Sequence, residues 1–389
     1  MNVYEALVYL MLFWILIYVL SRVLHLEKYG LNVEPLYLMY RTKRFNNALD
    51  KIAKRFRRFW LVVLNIGVIV AFGLMAYAVY FITINLANFI SAPSKATAVL
   101  PLVPLVTISI GSLPYFVVAF AIIILTHEGA HGIASRLGDV EVKSSGILLF
   151  FVILGAFVEP NEEQLGKSKL ASQSRVYAAG SLANLAVAFL AIILVLNFSL
   201  MISPFYSPNS SGVIVTQVES GWPAYNVGIR ANYVINKLNS TSVTTVEQFT
   251  GYMQKVTPGN LIKLNVLFPN GTFESVNVVT AQDPSNSSHA IFGINIFDYY
   301  APKASWLPQM GPFYTYLQLY WIELLAGGVA VINMLPLYPF DGDKFLYAFV
   351  ERVKSGAGSK VRLFASALVL TILASNIILT FLRLGVSQI

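Results

Sequence analysis

The stretch LTHEGAHG, residues 125–132, places two histidines four positions apart, with a glutamate directly after the first. On a helix that spacing brings His127 and His131 onto one face, where two imidazoles can share one metal ion, while Glu128 projects beside them. Zinc takes neutral nitrogen donors at about 2 Å, and a nearby carboxylate that is not a ligand can accept a proton from water. That chemistry is hydrolysis. The opposing reading, polar residues capping or snorkelling at a helix end, fits poorly after fourteen almost wholly apolar residues, because ionisable groups in such a setting are costly and usually functional. The chain has no cysteine, so any metal must be held by His, Asp or Glu.

A catalytic zinc site takes three protein ligands and keeps one position open. The candidates for the third are Glu159, Glu162, Glu163, Glu323 and Asp341. In a continuous helix Glu323 would lie about 27 Å from the level of residue 341, near the opposite surface. Asp341, in NMLPLYPFDGD, is the choice, because Pro336 and Pro339 break the helix and open backbone near the metal. Asp343 is expected to cap a following helix.

The elements that position these residues are membrane segments. Of the 389 residues 56% are hydrophobic and 12% charged, against about 25% charged in soluble proteins. Spanning helices are expected at 4–21, 59–90, 113–135, 175–201, 313–340 and 361–382. The first of these lacks the basic start and the cleavage site of a signal peptide, so it is kept as a helix. The run GILLFFVILGAFVEP, residues 146–160, is too short to cross and reads as a re-entrant or interfacial hairpin breaking at Gly155.

Regions 22–58, 136–175 and 343–362 hold ten, five and five of the 27 Lys and Arg residues. Positive charge marks the cytoplasmic side, and these clusters at helix flanks argue against a nucleic-acid partner. The densest run, Arg41 to Arg58, reads as a topology signal, with a lipid-binding amphipathic helix as the second reading. All N-x-Ser/Thr triplets, at Asn197, Asn209, Asn239, Asn270 and Asn286, fall in the one long polar region. That region and both termini are therefore expected outside a plasma membrane, with the metal toward the cytoplasm.

Together HEGAH (127–131), GAFVEP (155–160), GSLAN (180–184) and NMLPLYPFDG (333–342) resemble the site-2 protease family of intramembrane zinc metalloproteases, over about residues 113–382. The resemblance implies one Zn²⁺ per chain on His127, His131 and Asp341, with Glu128 as catalytic base. It implies that Asn184 and Asn333 serve substrate binding or oxyanion stabilisation, and that the hairpin ending at Pro160 aligns substrate as an extended strand. The small residues Gly180, Ser181 and Ala183 also suit helix packing, with Asn184 as polar glue. Tyr338 and Phe340 depart from the Pro and Leu common in the family, which alters pocket shape. Residues 1–90 lie outside the shared core.

Between 212 and 281 the alternating runs GVIVTQV, NYVINKL and IKLNVLF, with a helix expected over 246–256, indicate a small β-rich domain. The segment from Glu219 to Val243 resembles a PDZ domain, with Gly228-Ile229 at its Gly-Leu turn and Ala231-Asn232 in place of the usual Gly-Asp. PDZ grooves take peptides by strand addition, and a size filter above the active site is the other role the domain suits.

The expected fold is thus an all-α polytopic membrane protein of about six transmembrane helices and one re-entrant hairpin, with a small inserted PDZ-like domain. Its parts are 1–112, an N-terminal membrane region; 113–205 and 301–389, two halves of a protease core; and 206–300, the inserted domain. The expected activity is endopeptidase cleavage within transmembrane segments of membrane-protein substrates, in contact with lipid. A catalytically silent PDZ-bearing scaffold is the alternative, disfavoured by the intact His127, Glu128, His131 and Asp341. A metal transporter would need donors strung across the bilayer, and only His25 and His289 remain, both flanking.

Overall fold

The computed structural model describes residues 3–42, 44–104, 106–150, 153–269 and 271–385; Asn270 lies outside them. The chain divides into two compact units, residues 1–191 with 321–389, and residues 192–320.

The first unit opens with helix α1 (Val3–Val23), strands β1 (Leu31–Glu34) and β2 (Tyr37–Thr42), and helices α2 (Arg44–Arg55) and α3 (Arg57–Ser91). Helix α4 (Leu113–Leu137) carries Pro114 in its first turn, where the missing N–H costs nothing. Strands β3 (Val142–Phe150) and β4 (Ile153–Pro160), helix α5 (Glu162–Lys167) and helix α6 (Leu170–Leu196) follow.

Helix α2 braces α4. The Leu49 side chain stands where a Cβ at residue 132 would be, so Gly132 lets α2 pack close against α4. Asp50 Oδ1 is 3.0 Å from Arg136 Nε. Asn46 Nδ2 donates to the Val142 carbonyl (2.9 Å) and its Oδ1 accepts from Ser145 Oγ (2.9 Å), fixing α2 to β3 as well.

The expected hairpin is a β-hairpin within a four-stranded antiparallel sheet ordered β1-β2-β3-β4. Its pairings include Thr42 with Ser145 and Ser145 with Val158. Gly155 does not break it: that residue sits inside β4 opposite Leu148, and residues 151–152 lie outside the described residues. Strand β4 ends the sheet.

The second unit begins in the last residues of α6 and continues with α7 (Phe198–Ile202), β5 (Val213–Val218), α8 (Pro223–Asn226), β6 (Val234–Leu238), β7 (Thr241–Ser242), α9 (Val246–Met253), β8 (Leu261–Leu267), β9 (Phe273–Val279), β10 (Ala281–Asp283), β11 (Asn286–Ile291) and β12 (Ile294–Asp298). The main sheet is ordered β12-β5-β6-β8-β9, with β7 beside β6. In β8 burial alternates, as period-2 side chains on a half-covered sheet require. Val215, Ile235, Leu264, Val266, Phe249 and Phe292 form the core. Helix α9 starts where Thr245 accepts from the Gln248 N–H and ends three residues before the expected 256.

Helix α10 (Gly311–Ile332) leads back into the first unit, followed by α11 (Asp341–Val353) and α12 (Gly358–Arg383). The span expected to run to residue 340 stops at Ile332, and Asp341 opens a new helix instead of closing the old one. Among the described residues five helices, α3, α4, α6, α10 and α12, are long and apolar enough to cross a bilayer. Within α1, Val8–Val23 is a shorter apolar helix. Residues 1–112 thus carry strands as well as helices, where only helices and a basic loop were expected.

Candidate metal centre

Helix α4 turns His127 and His131 to one side, their rings 4.8 Å apart. The Nε2 atoms lie 3.1 Å from each other, and Asp341 Oδ2 is 3.3 Å from the first and 3.0 Å from the second. The three residues form the group of potential metal donors found among the described residues. Glu159, Glu162, Glu163 and Glu323 stand outside it.

These separations fit a metal. Ligand atoms about 2.0–2.1 Å from a tetrahedral zinc are about 3.3 Å from one another. The donor set, two imidazoles and a carboxylate, is one that zinc uses in catalytic sites.

The partners behind the ligands support the same conclusion. His131 Nδ1 is 2.7 Å from the Val176 carbonyl; it must carry its proton there, which leaves Nε2 with a bare lone pair. His127 Nδ1 is 3.0 Å from Asn184 Nδ2, and its Nε2 is 3.1 Å from Asn333 Nδ2. A neutral imidazole cannot accept on both nitrogens. Asn184 Oδ1 is buried without a donor. Turning that amide over, an assignment made from hydrogen bonding alone, lets Oδ1 accept from His127 Nδ1–H and frees Nε2 for a metal.

Backbone shape makes room for the cluster. A Cβ at Gly180 of α6 would collide with both imidazole rings, so GSLAN supplies a gap as well as a packing face. Gly342 packs against the Met334 and Leu335 carbonyls with no space for a side chain, and its N–H donates to the Asn333 carbonyl at 2.9 Å. Asn333 Nδ2 also donates to Asp341 Oδ2 at 2.7 Å. Asp343, 1% exposed, is not the cap of α11, which begins after Phe340; it lies in the first turn and accepts from Arg362 Nε of α12 at 2.7 Å. Arg362 lies over the rings of Tyr338 and Tyr347, at 5.6 and 5.8 Å, and the Tyr338 N–H donates to Ser366 Oγ at 3.3 Å. The break containing Pro336 and Pro339 is thereby pinned to α12.

Glu128 Oε2 accepts the backbone N–H of Val158 at 2.9 Å. The carboxylate thus holds a backbone N–H of strand β4 and ties α4 to β4. A cavity of about 680 Å³ opens here, lined by His127, Glu128, His131, Val158, Asn333, Tyr338 and Asp341 among others. Sequence reasoning missed the Val158 N–H and the Val176 carbonyl, since backbone groups leave no signature in residue type.

Residues 115–375 match the sequence pattern of peptidase family M50. The chain belongs to peptidase family M50. An uncharacterized protein of Methanocaldococcus jannaschii is 27% identical to this M50 member over 355 residues, 90% of this chain and 86% of its own. A membrane-bound transcription factor site-2 protease homolog of Arabidopsis thaliana is 22% identical over 182 residues, 46% of this chain and 35% of that protein. Among solved structures, the PDZ domain of an SdrC-like protein from Listeria monocytogenes aligns at 21% identity over 22% of this chain and 87% of the domain, TM-score 0.20. Its counterpart from Listeria innocua aligns at 22% identity over 22% and 92%, TM-score 0.20. The M50 family is one of site-2 metalloproteases, and this member is a multi-pass membrane protein with a group that could bind a metal.

Proposed function

We propose that this M50 member is a zinc endopeptidase that hydrolyses peptide bonds in transmembrane segments of other membrane proteins. The observation that carries the reading is the convergence of His127 Nε2, His131 Nε2 and Asp341 Oδ2 beside a cavity that also holds Glu128. Zinc held by those three residues supplies Lewis acidity and makes water a stronger acid.

The remaining chemistry belongs to the chain. Glu128 accepts a proton from water as the water oxygen bonds to the substrate carbonyl carbon. The same carboxyl then protonates the departing nitrogen as the C–N bond breaks, leaving a carboxylate and an amine. Asn333, on the cavity wall, is placed to donate to substrate or to the developing oxyanion. Asn184 is fully buried and faces His127 Nδ1, so its role is to orient that imidazole rather than to touch substrate.

Strand β4 ends its sheet beside the cavity. A helical peptide bond is shielded and hydrogen-bonded, whereas a segment unwound onto the β4 edge satisfies its backbone and exposes a carbonyl. The hairpin then works as a non-helical element at membrane depth, tolerated where it lines a cavity. The positive charge of the loops at 22–58, 136–175 and 343–362 supports an orientation in which they face the cytoplasm and the N-x-Ser/Thr region faces outside. The β-rich unit, taken as PDZ-like, would receive a peptide or restrict large ectodomains.

The test compares wild type with Glu128→Gln in detergent on fluorescent transmembrane peptides, with metal content measured for both. Cleavage by wild type alone, with metal retained by both, is expected. Metal bound without cleavage by wild type on any peptide would contradict the activity while sparing the site.

A further inference from the structure

The face of α4 opposite the histidines borders a second cavity, of about 390 Å³, shared by α2, α3, α4 and α6. Its walls include Trp60, Leu125, Thr126, Gly129, Ala183 and Ala186. They are apolar in character: the Thr126 hydroxyl already donates to the Ile122 and Ile123 carbonyls, at 2.9 and 3.0 Å. The indole of Trp60 lines the cavity with its apolar ring, its N–H being buried away from the open space.

The surroundings at the Trp60 end are basic. Lys51, Lys54, Arg55, Arg57 and Arg58 are all exposed, and so are the apolar Ile52, Phe56 and Phe59 among them. Asp50, the acidic residue within that run, is engaged by Arg136. Exposed apolar and cationic side chains mixed along α2 and the start of α3 are the features of a helix at a lipid headgroup layer.

We propose that this cavity holds an acyl chain of an anionic phospholipid whose headgroup lies on the basic run. Size favours a lipid chain over a protein helix. At roughly 30 Å³ per water-sized group the cavity accepts on the order of a dozen methylenes, whereas a helix 10–12 Å across would fill it with about one turn. Leu125 and Gly129 lie about 160° around α4 from His127, so this cavity opens largely on the side of α4 away from the metal cluster. The lipid packs the rear of the metal-bearing helix, and Gly129, beside which a Cβ would meet nothing within 4 Å, gives it space.

The full chain, delipidated in detergent, is titrated with phosphatidylglycerol or phosphatidylcholine of matched chains and followed by native mass spectrometry. Wild type is expected to retain one phosphatidylglycerol with at least tenfold preference over phosphatidylcholine, and inorganic phosphate is expected not to displace it. Ala183→Leu with Ala186→Leu fills the cavity and should abolish retention. Replacing Lys51, Lys54, Arg55, Arg57 and Arg58 by Gln should remove the headgroup preference while chain binding persists. Thermal unfolding in the same detergent identifies any variant that fails to fold, and for such a variant Ala186→Leu alone is used, with at least a tenfold loss of retention expected. Equal binding of both lipids by wild type, displacement by phosphate, retention unchanged in the filled variants, or co-purification of a protein chain in the cavity would each overturn the proposal.

Discussion

Two polar clusters are buried among the apolar helices of the first unit, and they differ in how their hydrogen bonds close. In one, Asn85 Nδ2 donates to Asn376 Oδ1 and to the Thr97 carbonyl, both at 2.9 Å, while Asn85 Oδ1 accepts the Thr97 N–H at 2.8 Å. Asn376 Nδ2 donates to the Ile82 and Ile372 carbonyls at 2.9 Å, and Thr380 Oγ1 accepts the Val99 N–H at 3.0 Å. Those groups satisfy one another. In the other cluster two imidazole nitrogens and a carboxylate oxygen, each able to serve as a metal donor, crowd within hydrogen-bonding distance of one another. The first cluster is complete in the protein alone and fastens α3 to α12. The second gathers three potential metal donors at one point, which is the physical difference between polar glue and a candidate site.

Removing a ligand should separate the clusters most sharply. Asp341→Ala is expected to weaken zinc binding by well over 100-fold, since even partners behind a ligand are worth about 10–100-fold; metal analysis after dialysis reads it. Asn184→Ala should lower zinc affinity by about 10–100-fold with the helices intact, measured by competition with a chelator. The converse change, Asn376→Leu, should leave zinc affinity unchanged and lower stability by about 1–2 kcal/mol, given the modest worth of interhelical hydrogen bonds in membranes; unfolding in mixed micelles tests it. If Asn376→Leu instead released the metal, the two clusters would not be independent.

The smallest effect is expected outside both. The Gly356 and Gly358 backbone N–H groups donate to Glu351 and hold its carboxyl below its ordinary value. A carboxyl lowered on folding stabilises above its unfolded value, about 4.3, and loses that contribution as pH falls through the lower folded value. Hydrogen exchange at Gly356 and Gly358 should therefore accelerate, relative to neighbouring amides, as the pH is taken from 5 toward 3. A profile without that relative change would remove Glu351 from the turn between α11 and α12.

The site was more legible than the elements around it. His127, Glu128 and His131 follow from helical spacing alone, and Asp341 from its position after two prolines, because ligand chemistry restricts residue type. The sheet was not legible. Pairing of residues 37–42 with 145–150 joins segments more than a hundred positions apart, and the run from 146 to 160 is apolar on both faces, so no alternation announces strands. Strand β9 hides for the opposite reason, being exposed at most positions. The start of α11 was missed because Asp341 looks like the end of the helix before it; the Asn333 carbonyl accepting the Gly342 N–H is what reverses the chain.

The most direct test of the central claim is zinc X-ray absorption on the purified chain after equilibration with one equivalent of Zn²⁺, for wild type and His131→Ala. One bound zinc with nitrogen and oxygen neighbours at about 2.0–2.1 Å and the scattering of two imidazoles is predicted for wild type, with one imidazole and greatly reduced occupancy in the variant. No bound zinc in wild type, or an identical spectrum and occupancy in the variant, would contradict it.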